Sequence, residues 1–120
     1  KQGLQHLQAA HEAVAASVAQ FIGWFKGGKL EHIPLAAEQF LAIMSELAVG
    51  WLLLEQAAIA VEKLPETSET HPDHAFYTGK KFAAQFFANN VLTTLPSRVQ
   101  RLSQIDTLPV EMPAEAFATI

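Results

Sequence analysis

Phe40-Leu-Ala-Ile-Met-Ser-Glu-Leu-Ala-Val-Gly-Trp-Leu-Leu-Leu-Glu-Gln-Ala-Ala-Ile-Ala-Val61 decides the fold. Its apolar residues return every three or four positions, at Phe40, Met44, Leu47, Trp51, Leu54, Ala58 and Val61. That is the period of an α-helix and not the alternation of a strand. Pro34 suits a first helical turn. The spacing therefore predicts a helix over residues 34–64, spanning ~45 Å at 1.5 Å per residue. The opposite side carries Glu38, Ser45, Gln56 and Lys63 towards its ends, but Val49, Leu52 and Leu53 in its middle. A helix apolar nearly all round is covered on more than one side. Val49, Trp51, Leu52 and Leu53 are thus expected to pack against something beyond a small bundle.

Upstream, Leu4, Leu7, His11, Val14, Val18, Phe21 and Phe25 step by three and four, predicting a first helix over residues 2–26 with that row as its seam. Gly27-Gly28 is its stop. Downstream, residues 65–72 read as a polar loop closed by two prolines. Asp73 is a fair N-cap for a third helix over residues 74–95. In that helix Phe76, Ala83, Ala84, Phe87 and Val91 cluster on one face, and Phe82 with Phe86 forms a second patch. A short fourth helix over residues 97–105, with Ser97 as cap, carries Arg98 and Arg101. Pro109 and Pro113 mark an irregular tail. The expected fold is all-α: one domain over residues 1–120, an antiparallel bundle of three long helices closed by a short fourth.

Composition narrows the function. Of 120 residues, 50% are hydrophobic and 17% charged, the reverse of a disordered chain. A net charge of −4 argues against nucleic-acid binding. Without cysteine there is no disulfide framework, thiolate-held zinc or cysteine nucleophile, which fits a cytoplasmic location. The longest uninterrupted apolar run, residues 47–54, is far short of the ~20 residues of a membrane span, so no span and a soluble chain are expected. The sequence opens without methionine in what already reads as helix, so a piece of a longer protein is expected.

Chemistry-bearing residues are sparse. His71-Pro-Asp-His74 lacks the helical spacing of a metal face. His11 falls on the seam of the first helix and is expected to be a hydrogen-bonded core histidine, whereas His6 and His32 are expected to face solvent. Glu55 and Glu62 lie two turns apart and read as a solvated or salt-bridged stripe. Gly27-Gly28-Lys29 lacks the strand and the Gly-Lys-Ser/Thr pattern of a phosphate loop. Lys80 is the most informative charge. It shares a face with Phe76 and Phe87, so it must snorkel or be paired. Glu55 or Glu62 is its expected partner, with a phosphate or carboxylate contact shared with Lys81 as the alternative. Tyr77, the only tyrosine, is expected in a core or an interface.

Three stretches carry a family resemblance. They are Leu47-Ala-Val-Gly50-Trp51-Leu-Leu-Leu-Glu-Gln-Ala57, then Phe76-Tyr77-Thr-Gly79-Lys80-Lys81, then Ala84-Gln-Phe86-Phe87-Ala-Asn-Asn-Val91-Leu92. Together they resemble the C-terminal extension of a large acyl-CoA dehydrogenase subgroup that includes the 3-methylmercaptopropionyl-CoA dehydrogenase-like enzymes. Pro113-Ala-Glu-Ala-Phe117 is similar to a Pro-Glu-Glu-Ala-Phe near the end of such enzymes. Here Thr93-Thr94-Leu95 stands before Pro96, where the family places proline directly after Asn-Val-Leu. The resemblance implies a much longer parent enzyme that binds FAD, desaturates an acyl-CoA thioester at its α,β carbons and passes electrons to an electron-transfer flavoprotein. It implies that base, flavin site and acyl pocket lie upstream, so this chain contributes no catalytic, cofactor-binding or metal residue. The expected role is packing, against the chain's own upstream catalytic domains and across a homodimer. Val49, Trp51, Leu52, Leu53, Phe82 and Phe86 would be interface residues, and Lys80, Tyr77 and Glu55 a possible ion pair or ligand contact. Two other readings stay open: a stand-alone helical interaction module, and a small bundle binding CoA or an acyl chain through Trp51, Tyr77 and Lys80.

Overall fold

A computed structural model describes residues 2–118. Six helices follow in order: α1 (Gln2–Lys26), α2 (His32–Lys63), α3 (Pro72–Asn90), α4 (Leu95–Ser103), α5 (Leu108–Glu111) and α6 (Ala114–Phe117). No strand occurs among the described residues. α1 and α2 form an antiparallel hairpin. Its turn is a helix stop in which Lys29 N donates to Trp24 O (2.9 Å) and Gly28 N to Phe25 O (3.4 Å). Gly28 holds φ +75°, a value that a side chain disfavours. Phe21, Trp24 and Phe40 stack behind this turn at 4.7–5.1 Å, and His32 meets the Trp24 edge at 5.4 Å.

α3 and α4 act as one broken third rod. A 3₁₀ turn over Leu92–Thr94 joins them. α3 lies along the C-terminal half of α2, where Lys80 reaches Gln56, and α4 along its N-terminal half, where Arg98 reaches Glu46. α1 packs against both. Leu92–Thr94 form this joint, so α3 ends at Asn90 and not at residue 95. α4 starts at Leu95, two residues before Ser97, whose hydroxyl donates to Thr94 O instead of capping. The N-cap of α3 is also corrected. His71 and not Asp73 holds that position, its Nδ1 accepting from Asp73 N at 3.0 Å.

The periods predict the helices, but their phases are rotated. On α1 the packed row is Gly3, Leu7, Ala10, Val14, Ser17, Phe21 and Trp24. Leu4, His11, Val18 and Phe25 of the expected seam are exposed. On α2 the packed row is Ala36, Phe40, Ile43, Leu47, Gly50, Leu54 and Ala57; Met44, Trp51, Ala58 and Val61 are exposed. On α3 Ala84 and Ala88 are buried, whereas Phe76 and Ala83 are exposed. The cause is close approach. α1 and α2 each meet three other helices and α3 meets two, and small residues let the backbones come together while bulky ones flank the contact. Gly50 is the tightest point: a Cβ there would stand 2.6 Å from Leu92 Cδ2, and Leu92 is wholly buried.

The result is long and open, 66 × 35 × 16 Å with a radius of gyration of 19.9 Å, against about 14 Å for a compact domain of this length. Among the described residues the backbones of α5 and α6 lie away from the other helices. The chain exposes 8315 Å², about 1,900 Å² more than a compact monomer of its mass.

Candidate functional site

The residues left without cover lie mainly on the outer side of α2. At 100° per residue, Leu41, Ala48, Leu52 and Ile59 fall within a narrow sector opposite Gly50. All four are exposed, with Val49 and Trp51 flanking them. Leu53 is the exception among the expected interface residues, being turned inward and half-buried. Phe82 and Phe86 stand out from α3 at 61% and 68% exposure, the values of side chains that pack on nothing. Exposed bulky groups at this density are uncommon on the exterior of a monomer.

Three grooves break this exterior. Trp51 lines one of about 620 Å³ between α1 and α2, with Leu4, Leu7, Met44, Leu47 and His11 among its walls. A second, of about 760 Å³, opens between α2 and α3 beside the start of α1, and Lys81 is its only charged lining residue among the described residues. A third, of about 340 Å³, separates α2 from α4 between Glu38 and Arg101.

Lys80 does not reach Glu55 or Glu62. Its Nζ donates to Gln56 Oε1 at 3.1 Å and lies 5.4 Å from the centre of the Phe76 ring. α3 faces the side of α2 that presents Gln56, whereas Glu55 points away into solvent with no ion pair among the described residues. Tyr77 is half-buried, with its ring edge-on to Phe76 at 5.7 Å. Trp51, Tyr77 and Lys80 do not converge: neither Tyr77 nor Lys80 contributes to the groove that Trp51 lines. His11 is exposed on the rim of that groove and not in the core. His32 is half-buried against Trp24, and its Nδ1 is a buried atom without a hydrogen-bond partner among the described residues.

The strongest polar contact escapes a sequence reading. Arg98 grips Glu46 with both guanidinium nitrogens, Nη1 to Oε1 at 2.5 Å and Nη2 to Oε2 at 3.2 Å. The partners are 52 residues apart in sequence. The one available signal was Glu46 itself, a carboxylate between Ile43 and Gly50 on the packed side of α2. The long helix also carries an apolar signal of a kind that the core helix of a soluble protein shares. The stretch His32–Glu66 is long and apolar enough to cross a membrane by length and composition alone, with a mean hydropathy of 1.4 over 18 residues. Counting uninterrupted apolar runs missed this, because isolated Ser, Glu and Gln residues break the runs without lowering the average much. Three helices pack along this stretch, and its Glu46 is ion-paired.

Among the described residues no three His, Asp or Glu side chains gather as a metal site. What the surface offers is apolar contact over a large area. Residues 1–113 match the family described as acetyl-CoA dehydrogenase C-terminal like. The chain is 36% identical over 85 residues to a butyryl-CoA dehydrogenase of Syntrophomonas wolfei, covering 71% of this chain and 14% of that protein. It is 36% identical over 88 residues to the broad-specificity linear acyl-CoA dehydrogenase FadE5 of Mycobacterium tuberculosis, covering 73% and 14%. A second Syntrophomonas wolfei butyryl-CoA dehydrogenase is 29% identical over 83 residues, covering 69% and 14%. The aligned part thus spans about one seventh of the length of these relatives.

Proposed function

The chain belongs to the acetyl-CoA dehydrogenase C-terminal-like family, and from that membership we propose that it is the assembly domain of an acyl-CoA dehydrogenase and performs none of the chemistry itself. The observation that carries this reading is the uncovered apolar face of α2 and α3. The excess exposure of about 1,900 Å² is roughly two standard partner patches of about 800 Å² each. One patch would seat on the enzyme's own upstream catalytic domains and the other on a second subunit of a homodimer.

The residues here do not fit FAD. A dinucleotide needs several cationic or backbone donors around its phosphates. The α1–α2 groove is almost wholly apolar, the α2–α3 groove holds a single lysine among the described residues, and Arg98 in the third is already bound to Glu46. The proposal therefore places the flavin and the α,β-desaturation of the acyl-CoA thioester upstream, with electrons passing to an electron-transfer flavoprotein in the cytoplasm. The names of the relatives favour a linear acyl group as substrate. The Gly50-Trp51 and Phe76-Tyr77-Thr-Gly79-Lys80 stretches favour the 3-methylmercaptopropionyl-CoA dehydrogenase-like subgroup.

Co-expression tests the role. The catalytic portion and this chain, made as separate polypeptides, should purify as a complex that oxidises acyl-CoA. Replacing Leu52 and Phe86 by aspartate should break the complex. Because both side chains are exposed, the stability of the free chain should change by no more than about 0.5 kcal/mol per site. A chain that never joins the catalytic portion, or that oxidises acyl-CoA alone, would overturn the proposal.

A further inference from the structure

α2 carries two seams, back to back. The inner one, through Ile43, Leu47, Gly50 and Leu54, packs the bundle. The outer one runs through Leu41, Ser45, Ala48, Leu52, Glu55 and Ile59, and all six are exposed. These six step by four and three in strict alternation. That is the repeat of a helix that lies along a second helix over several turns.

The outer seam fits itself when it is turned end for end about Gly50. The reversal sets Leu41 against Ile59 of a second copy, Ala48 against Leu52, and Ser45 against Glu55. Aliphatic meets aliphatic, small meets large, and a hydroxyl meets a carboxylate. An antiparallel two-fold also brings the same flank of both copies together. Glu38 and Lys63 lie on one such flank, about 20° apart around the helix. Each Glu38 therefore comes beside the Lys63 of the other copy. Both side chains are exposed, and neither has an ion pair among the described residues. Close to the axis, Val49 meets Val49 on that flank and Trp51 meets Trp51 on the other. These two are 45% and 58% exposed.

Other registers lose the fit. A slide of one heptad in one direction sets Leu52 against Glu55 and Ser45 against Glu62. In the other direction it sets Glu38 against Glu55. A parallel pair would set Glu38, Glu55 and Glu62 each against its own copy. From Glu38 to Lys63 the seam is ~38 Å long and, at a helix diameter of ~11 Å, offers ~410 Å². That is about half of the ~800 Å² of a standard partner patch. Met44, Val49 and Trp51 add exposed apolar area at its flanks.

We propose that the outer seam of α2 pairs antiparallel with the same seam of a second copy, about a two-fold axis beside Gly50, with Glu38 of each copy against Lys63 of the other. This names the face that the second subunit takes in the assembly role above, and rests on that role. It leaves the Phe82 and Phe86 side of α3 for the upstream catalytic domains.

Two thiols read the register in the intact protein. Copies carrying Ser45→Cys and copies carrying Glu55→Cys, co-expressed with different tags and equilibrated in a glutathione redox buffer, should form a disulfide between residues 45 and 55. Mass spectrometry of the linked peptides identifies it whatever thiols lie elsewhere. Both positions are exposed, so neither substitution opens the core. Copies that all carry Ser45→Cys should link at least tenfold less, because those thiols would stand ~15 Å apart along the helices. Lys63→Glu in both copies should lower the 45–55 yield about threefold, and Glu38→Lys added to both should restore it. A 45–55 yield at the control level, a preference for 45–45 links, or indifference to Lys63→Glu would each overturn the proposal. A dimeric intact protein whose α2 peptides link to the upstream catalytic domains would refute the self-pairing while leaving the assembly role intact. A monomeric intact protein whose catalytic portion does not hold this chain would refute both.

Discussion

Replacing Gly50 by alanine tests the packing at its narrowest point. The new Cβ would stand 2.6 Å from Leu92 Cδ2, 2.9 Å from Cδ1 and 3.0 Å from Cγ. Leu92 has no exposed surface, so its methyls cannot swing away without disturbing the core around them. Forcing a carbon into a filled core costs about 1–3 kcal/mol. Against that, alanine is favoured over glycine by about 1 kcal/mol inside a helix. Gly23 and Gly79 separate the two effects, because both are helical and, their own helical backbone aside, a Cβ at either would meet no described atom within 4 Å. Gly23→Ala and Gly79→Ala should therefore raise stability by up to about 1 kcal/mol. Gly50→Ala should fall about 1–3 kcal/mol below them. Urea unfolding followed by far-ultraviolet circular dichroism reads the difference as a shift in midpoint at constant slope. Leu92→Ala should cost about 2–5 kcal/mol by itself. It also removes the clashing atoms, so in that background Gly50→Ala should become stabilising. A Gly50→Ala chain as stable as the Gly79→Ala chain would show that α2 and the joint between α3 and α4 are not in contact as described.

Three further outcomes follow from the polar contacts. Glu46→Gln and Arg98→Met should couple by about 0.5–1.5 kcal/mol in a double-mutant cycle, the range for a two-pronged, one-third-exposed pair, and the coupling should shrink in 1 M salt; additive effects would remove the pair as a link between α2 and α4. His71→Ala should cost about 0.5–1 kcal/mol as the loss of a helix cap, and Asp73→Ala only the few tenths of a first-turn charge; the reverse order in thermal unfolding would restore Asp73 as the cap. Lys80→Met should shift stability by less than about 1 kcal/mol, because an exposed amine over a ring and beside an amide contributes little; a larger loss would require a buried charge pair.

The sequence was legible where a local rule acts alone. α1 has the bounds that its period and the Gly27-Gly28 stop predict, and α2 differs by two residues at its start and one at its end. The faces were less legible, because α1, α2 and α3 each carry apolar residues on the flanks of the contact as well as on it. Period identifies a helix; phase depends on which neighbour comes closest. The buried rows include Ala10, Ser17, Ala36, Gly50 and Ala88, small residues that hydrophobicity does not weight. Val49, Leu52, Phe82 and Phe86 were identifiable as surplus apolar surface because they exceed what a narrow bundle can hide. Leu53 was not separable from them, since one step along a helix decides whether it meets α3 or water. The Lys80 partner was missed by one residue for the same reason, Gln56 in place of Glu55. The Arg98–Glu46 grip was hidden because nothing local links positions 52 residues apart.

The bare side of α2 also bears on how long such a molecule survives in a cell. Copies without a mate present Leu41, Trp51, Leu52 and Ile59 to chaperones and proteases that capture exposed oily surface. Assembly would then set the lifetime of each copy, and matched numbers would be kept by removing orphans instead of by metering synthesis. Pulse-labelled copies lacking a mate should disappear several times faster than mated ones, and equal half-lives would show that this side is not seen.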